Sequence, residues 1–347
     1  MNEPILGRAL IEAEVPAERA LARAQVLWRS VTPERPVTFY GAGLAGSALC
    51  LGALQHAPAA LSAAGLKRKL LRRRTGGITA EAGTGIAYAA LGLLDPSSLM
   101  ACPPGRILNR NVRGALAGLR GLKLPTHYFG RDFLSVDGSP AALVAWTRAA
   151  DGRALLELLV AVDSPLLPDA EQLGYPPRVE PVFRGKPPST LRDAGLAADV
   201  EPADVPRALA TGYARAHGLE LEREDLGEEE RVEVEALAGR LVVDGSDDGG
   251  LRWSTPVEEP IGFVQAGVRL DADGRIAAAR LAGDFMQDEA CTGELQAQLE
   301  GAEPSAATFG AALDRIYAAQ PGRVEGVRNL PSLQGALLSA AGGEDEP

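Results

Sequence analysis

The residues of this chain best equipped for chemistry cluster in one stretch, Lys67-Arg68-Lys69-Leu70-Leu71-Arg72-Arg73-Arg74, followed directly by Thr75-Gly76-Gly77. Guanidinium forks pair with oxyanions, and glycines let backbone amides come close to a bound group, so the combination suits a phosphate-bearing ligand. The same run invites a nucleic-acid reading, but aromatic residues are only 5% of the chain and none interleaves with it, which leaves bases nothing to stack on. A solvated or partner-binding face is the third reading.

Net charge narrows these choices. Lys and Arg total 35 against 46 Asp and Glu, a formal charge of -11, so nucleic acid would have to meet a local patch on an acidic protein and is the least favoured partner. Cys50, Cys102 and Cys291 are too few and too scattered for a disulfide framework or a CxxC metal site, so no metal centre is expected and a reducing cytoplasm fits best. Cys50 sits in an apolar run and reads as core, while Cys102 has no histidine at a recognisable base spacing and reads as structural. His127, beside Tyr128 and just before Gly130-Arg131-Asp132, reads as a polar pocket wall. Asn109, with Arg110 and Arg113, suits either ligand contact or a helix cap on the surface.

The elements that must position these groups follow from periodicity and turn chemistry. Pro16 followed by Ala17 to Trp28 predicts a helix with Leu21, Ala24, Gln25 and Trp28 on its inward stripe. Gly41 to Leu66 lacks Asp, Glu, Lys and Arg, yet it is mostly Gly and Ala with Gln55, His56 and Pro58 inside, so a buried strand and loop is expected rather than a membrane span. The N-terminus carries Glu3, Glu12 and Glu14 and no cationic lead into an apolar segment, which argues against a secretory signal. Asn109 to Leu122 has helical spacing. Asp137-Gly138 and Asp151-Gly152 separate the runs Phe133 to Val136, Ala141 to Trp146 and Leu155 to Val162, predicting an antiparallel meander. Leu166 to Pro206 is rich in proline and turn residues and reads as an irregular excursion, and Val205 to His217 predicts a helix capped by Asp204 and stopped by Gly218.

Composition then divides the 347 residues. Glu222 to Glu235 is strongly acidic and Asp244 to Gly250 is rich in Gly and Asp, which predicts a linker over 226–250 between a large unit at 1–225 and a small α+β unit at 251–345. In the small unit Val264, Ala266, Val268 and Leu270 alternate with Gln265, Gly267 and Arg269, and Asp271 to Gly274 turns the chain so that Arg275 to Leu281 pairs back. Helices are expected at Thr292 to Leu299 and Thr308 to Ala319, and Gly342 to Pro347 reads as disordered.

Several motifs taken in order resemble the lipoate-protein ligases. Arg72-Arg73-Arg74-Thr75-Gly76-Gly77 resembles that family's Arg-Arg-x-Ser-Gly-Gly-Gly, with Gly85 where it keeps another glycine. Gly52-Ala53-Leu54-Gln55 looks like its Gly-x-x-Gln, Ile107-Leu108-Asn109 like the lead into its central helix, and Gly130-Arg131-Asp132 like its Gly-Arg-Asn-Asp. The stretch from Gly262, with Gly283-Asp284-Phe285 and the helix carrying Glu294, Leu295 and Leu299, looks like its accessory domain. The resemblance implies an α+β fold, a mixed or antiparallel sheet flanked by helices of the biotin and lipoate protein ligase kind, plus the small C-terminal domain. It also implies adenylation of lipoate or octanoate by ATP, with Mg, and transfer of the acyl group to a lysine on a lipoyl carrier domain. Arg72, Arg73, Arg74, Thr75, Gly76, Gly77, Gly85, Arg131 and Asp132 would then bind ligand, with Ile78, His127 and Asn109 at the pocket wall.

The chain departs from that pattern at places where the chemistry sits. Ile78 replaces the third glycine, Ala82 stands where the family has a histidine, and no lysine lies on the meander, where Ser139 to Trp146 carries no cation at all. The four lysines are Lys67, Lys69, Lys123 and Lys186. Losing one preorganised electrostatic contact costs about a hundredfold to a thousandfold in rate. Arg131, Arg148 and Arg153 are the candidate substitutes, but arginine reaches differently. Two readings stay open: an acyl ligase acting on a carrier, with ATP and Mg entering only in that case, or a degenerate relative that binds a carrier, a companion protein or a small ligand.

Overall fold

The computed structural model describes residues 4–174, 187–245 and 249–342. Part of the expected excursion (175–186), part of the Gly and Asp stretch (246–248) and most of the expected disordered tail (343–347) lie outside the described residues.

An eight-stranded mixed sheet organises the large unit. Its order is Leu219–Arg223, Ile5–Pro16, Val37–Ala45, Ile86–Leu93, Ala154–Ala161, Ser139–Arg148, Phe133–Val136 and Thr126–Tyr128. Ile5–Pro16 runs parallel to both neighbours, and every other pair is antiparallel. The expected meander is three adjacent strands, and its first turn has φ of 48° at Asp137 and 81° at Gly138, the left-handed pair that Asp-Gly accommodates.

Ile86–Leu93 and Ala154–Ala161 are buried at every residue because helices cover both faces of the sheet. Pleat parity shows this. Gly92, opposite Thr38, would put a Cβ 2.9 Å from the Cα of Trp28, whereas Gly41 on the other face would put one 2.4 Å from the Cβ of Pro206. Trp28 belongs to the helix Ala17–Arg29, whose buried face includes Leu21, Ala24 and Gln25 as expected. Pro206 opens the helix Val205–His217, which ends at Gly218 with φ 64°. Asp204 stands at the expected cap position, but its carboxylate accepts from Arg207 and the Glu201 amide instead of the first-turn amides. The predicted helix Asn109 to Leu122 is two segments, Ile107–Asn111 and Arg113–Gly121.

Gly41 to Leu66 holds strand, loop and short-helix backbone, and no helix among the described residues is long and apolar enough to cross a membrane. A second sheet, ordered Val242–Val243, Leu70–Arg72, Ser47–Leu51 and Ala80–Gly83, carries the basic run out of its Leu70–Arg72 strand.

The expected linker at 226–250 is a correction. Glu228–Leu241 is a helix packed along Ala17–Arg29, and the acidic run begins inside the strand Leu219–Arg223. Val234, Leu237, Ala238 and Leu241 repeat at helical spacing and are buried, while Glu230, Glu233 and Glu235 pair with Arg8, Arg29 and Arg19. Charge density alone hid an amphipathic helix whose acid face meets arginines of the same unit.

The C-terminal unit builds its own core on the hairpin Phe263–Leu270 and Ile276–Gly283. Helices Ala290–Leu299 and Ala306–Leu313, the latter continued by a wider turn over Asp314–Ala318, match the expected segments within a few residues. A further helix, Leu330–Ala341, was not expected; Asn329 caps it through Ser332 and Gly342 ends it with φ 89°.

Candidate functional site

The backbone after Leu70–Arg72 is held from inside by two buried charges. Arg73 is 2% exposed, and its guanidinium donates to the carbonyls of Gly76 (2.6 and 3.2 Å), Ile78 (2.8 Å) and Cys50 (3.0 Å). Glu157, also 2% exposed, accepts from the Thr75 amide (3.0 Å), the Thr75 hydroxyl (2.6 Å) and the Tyr88 hydroxyl (2.6 Å). Burial, with the Glu157 charge next, pushes the Tyr88 phenol well up, so it remains a donor.

The glycines of the loop are required by close approach. A Cβ on Gly52 would fall 2.1 Å from the Gly77 carbonyl oxygen, and one on Gly76 would fall 2.2 Å from the Phe285 carbonyl oxygen. Gly77 has φ of 87° and its amide donates to that same Phe285 oxygen at 3.2 Å. The backbone brought close to this pair is therefore the chain's own C-terminal unit.

The flanking motifs complete the joint. Gln55 accepts from the Gly52 amide (2.7 Å) and the Thr79 hydroxyl (3.0 Å), and its Nε2 donates to Asp284 (2.6 Å). Arg72 donates to the carbonyls of Gly52, Ala53 and Gln55, and Arg74 grips Glu289 through two bonds of 2.5 and 2.6 Å. Met286 sulfur accepts from the Trp146 amide at 3.3 Å. Gly52 to Gln55 and Gly283 to Phe285, recognised separately in the sequence, are two halves of one contact.

Arg131 and Asp132 lie at the edge of this joint. Asp132 is fully buried and neither carboxylate oxygen has a hydrogen bond among the described residues; Arg131 Nε is 3.7 Å away and its own Nη2 is buried without a bond. Burial pushes the Asp132 carboxyl up to about 7, against the pull of Arg131 and with Asp284 and Glu325 adding to the rise.

Other expected site residues stand elsewhere. His127 and Asn109 are exposed, His127 stacking on Phe129 at 6.1 Å, because each falls on an outward position of its element. Gly85 closes the turn into Ile86–Leu93, where its carbonyl accepts the amides of Val162 and Asp163 and Ser164 occupies the space of a Cβ. Ile78 is 9% exposed and packs in the main core. Of the three expected pocket-wall residues, Ile78 is a core residue and His127 and Asn109 are surface residues. Of the substitute cations, Arg148 binds Asp288 and Arg153 binds Asp151 and the Arg29 carbonyl, so neither offers a charge to the glycine pair. Burial raises the Cys50 thiol to about 11 and the Cys291 thiol to about 12, and raises Cys102 too, which leaves no ready thiolate.

Beside the loop lies a cavity of about 470 Å³ bounded by the first helix, the Glu228–Leu241 helix, the 72–76 backbone and the chain after Met286. Arg72, Arg73, Arg74 and Gly76 line it, whereas Thr75, Gly77, Arg131 and Asp132 do not. Gln25, Arg29, Leu237 and Arg240 also line it and were missed. One signal was available: Gln25 is the polar residue on the otherwise apolar stripe of the first helix.

The glycine loop does not fit ATP in this arrangement: the Gly77 amide is bonded within the chain, and the Arg73 and Arg74 guanidiniums are engaged.

No protein-family model and no curated protein matches the sequence. Solved structures do. The lipoate complex of LipL1 from P. falciparum superposes with a TM-score of 0.67 at 11% identity, over 96% of this chain and 99% of that one. The bipartite lipoate protein ligase of Thermoplasma acidophilum gives 0.55 at 17% identity over 68% and 93%, and an ATP-bound lipoate-protein ligase A gives 0.53 at 16% identity over 67% and 94%. With a mixed eight-stranded sheet, a second small sheet and a helical C-terminal unit all in place, this chain has the fold of the lipoate-protein ligases.

Proposed function

We propose that the protein handles lipoate-type acyl chemistry by binding, recognising a lipoyl carrier domain or a lipoate- or octanoate-like ligand, and that it does not adenylate while its C-terminal unit is docked. The observation that carries this reading is the Gly76–Gly77 contact: Phe285 takes both the Gly77 amide and the space above Gly76. An acyl-adenylate needs free amides and a cation at that place. Here the amide is engaged, and Ser139–Arg148 brings no lysine. The relatives in fold are described with lipoate, with ATP and with an E2 lipoyl domain, which sets the class of ligand and partner to try first. The test incubates the purified chain with labelled ATP, lipoate or octanoate, and a carrier domain. Carrier or acyl binding without acyl-adenylate or modified carrier is the expected result; either product overturns it.

A second reading is an ATP-dependent ligase that works after the C-terminal unit lifts away. Asp132 and Arg131 favour it, since their unsatisfied buried atoms sit beside the joint and would be hydrated by opening. Asp284→Ala removes the acceptor of Gln55. Acyl-adenylate formed by this variant but not by the parent chain would establish that reading.

A further inference from the structure

Acidic side chains gather where the C-terminal unit meets the meander. Asp132 is fully buried and both its carboxylate oxygens lack a hydrogen bond among the described residues, although its backbone is firmly held: the Asp132 carbonyl accepts the Val144 amide at 2.7 Å. Two residues further along that strand, Trp146 touches the other unit twice. Its amide meets the Met286 sulfur, and its indole Nε1 donates to Glu325 at 2.9 Å. Glu325 stands opposite Met286 in the pair of short strands Met286–Gln287 and Val324–Glu325, so Glu325 and Asp284 are both carried by the C-terminal unit.

The charged groups around Asp132 do not balance in its favour. Arg131, from its own segment, pulls toward ionisation, but its Nε stands 3.7 Å away, beyond hydrogen-bond reach. Asp284 and Glu325 oppose ionisation from the C-terminal unit. Tyr128, at the end of the strand Thr126–Tyr128, is pushed up by burial first and then by Glu325 and Asp132, so it stays neutral. Burial raises the Glu325 carboxyl as well, while the Trp146 bond and Arg106 draw it back. A carboxylate with no donor is costly to keep in such a place, and the neutral acid much less so.

We infer that this contact is a proton-held latch: the two units close with the Asp132 carboxyl neutral, and they loosen when it ionises against Asp284 and Glu325. Closed, the carboxyl keeps its proton up to about pH 7; opened and hydrated, it releases the proton at the ordinary value of about 4. Between these limits the closed form binds the extra proton, so closure is strongest at the acid end, weakens as pH rises, and is weakest and level above about pH 7. Loosening frees the Gly77 amide that now donates to Phe285. The inference rests on neither reading of function above, since it concerns how the units hold together and not what they bind.

Amide hydrogen exchange on the full chain, without ATP, acyl group or carrier, tests it across this pH range. The reporters are two amides that cross the joint, Gly77 to the Phe285 carbonyl and Gly283 to the Leu54 carbonyl. Corrected for intrinsic exchange, their protection falls about tenfold per pH unit from about 4 to about 7 and then levels off, because one proton leaves on opening. At each pH they exchange faster than the amides inside Ile86–Leu93, which open only when the large unit unfolds. Asp132→Asn cannot ionise and removes the fall. Glu325→Gln keeps an acceptor for Trp146, drops a charge, and ends the fall at a lower pH. Protection that varies less than about twofold over the range, or an Asp132→Asn slope equal to the parent's, overturns the latch. Equal protection at the joint and in the sheet also overturns it, since the units then part only on unfolding. An unchanged end point in Glu325→Gln overturns the share given to Glu325. No product is read here, so this outcome and that of the carrier assay are separable.

Discussion

Two neighbouring regions of this molecule use the same residue types to opposite ends. At the glycine loop, Arg73, Glu157, Gln55 and the Gly77 amide are all bonded within the chain, each to a partner at fixed distance. A few residues away, the cavity between the two long helices keeps Gln25 Nε2 and the Arg240 guanidinium without partners among the described residues. The loop that looks most like a ligand site in sequence has its hydrogen-bonding capacity filled, while the helix residues facing the cavity on its other side, outside any motif, have capacity to spare. What a motif can bind depends on which of its groups remain unspent after folding.

The contrast can be broken first at Glu157. Glu157→Ala leaves the Thr75 amide and the Thr75 and Tyr88 hydroxyls without their buried acceptor, and is expected to cost about 3–5 kcal/mol in chemical denaturation. A loss under about 1 kcal/mol would mean that the loop is not held from inside. Asp132 comes next. Its folded-state carboxyl keeps a proton up to about pH 7 while the unfolded one releases it near 4, so the folded chain binds more protons and stability falls as pH rises through that window. Asp132→Asn should flatten this slope, by roughly 2–4 kcal/mol between the ends, when unfolding is followed from pH 4 to 7. An unchanged slope would assign the effect to other groups.

Gly76→Ala tests the joint itself. A Cβ 2.2 Å from the Phe285 oxygen must push the C-terminal unit away, at about 1–3 kcal/mol, and limited proteolysis should cleave between the units faster than in the parent chain. Equal proteolysis would show that the joint has room. The smallest effect is expected at Gln25, where Gln25→Leu removes a stranded amide and should raise the ligand-free stability by up to about 1 kcal/mol. A clear loss would mean that Gln25 has a structural partner after all.

Much of the fold was legible because its signals are local. Asp137-Gly138 turns the meander through two positive φ angles, and the inward stripe of the first helix and the Asp271 to Gly274 hairpin appear where spacing places them. The elements that escaped have charged faces. Glu228–Leu241 fell in the expected linker and the strand Leu219–Arg223 was not expected, yet both pack in the large unit, where Arg8, Arg19, Arg29 and Arg35, distant in sequence, meet their acids. Ile5–Pro16, the strand beside them, also escaped, since its glutamates break the apolar pattern. Of the residues expected to bind ligand, Arg72 to Gly77 lie together in one loop, while His127, Asn109 and Gly85 stand apart from it.

Sequence by itself determined the residue inventory: arginines beside paired glycines, no lysine on Ser139–Arg148, and an amide on the buried stripe of the first helix. Only the tertiary structure decided which of those groups are spent. Gln55 and Asp284 are 229 residues apart in the chain and 2.6 Å apart in space, and the Gly77 amide meets the Phe285 oxygen across a similar separation. Hydrogen-bond partners at that range are assigned by how the two units dock. No spacing rule along the chain carries that information.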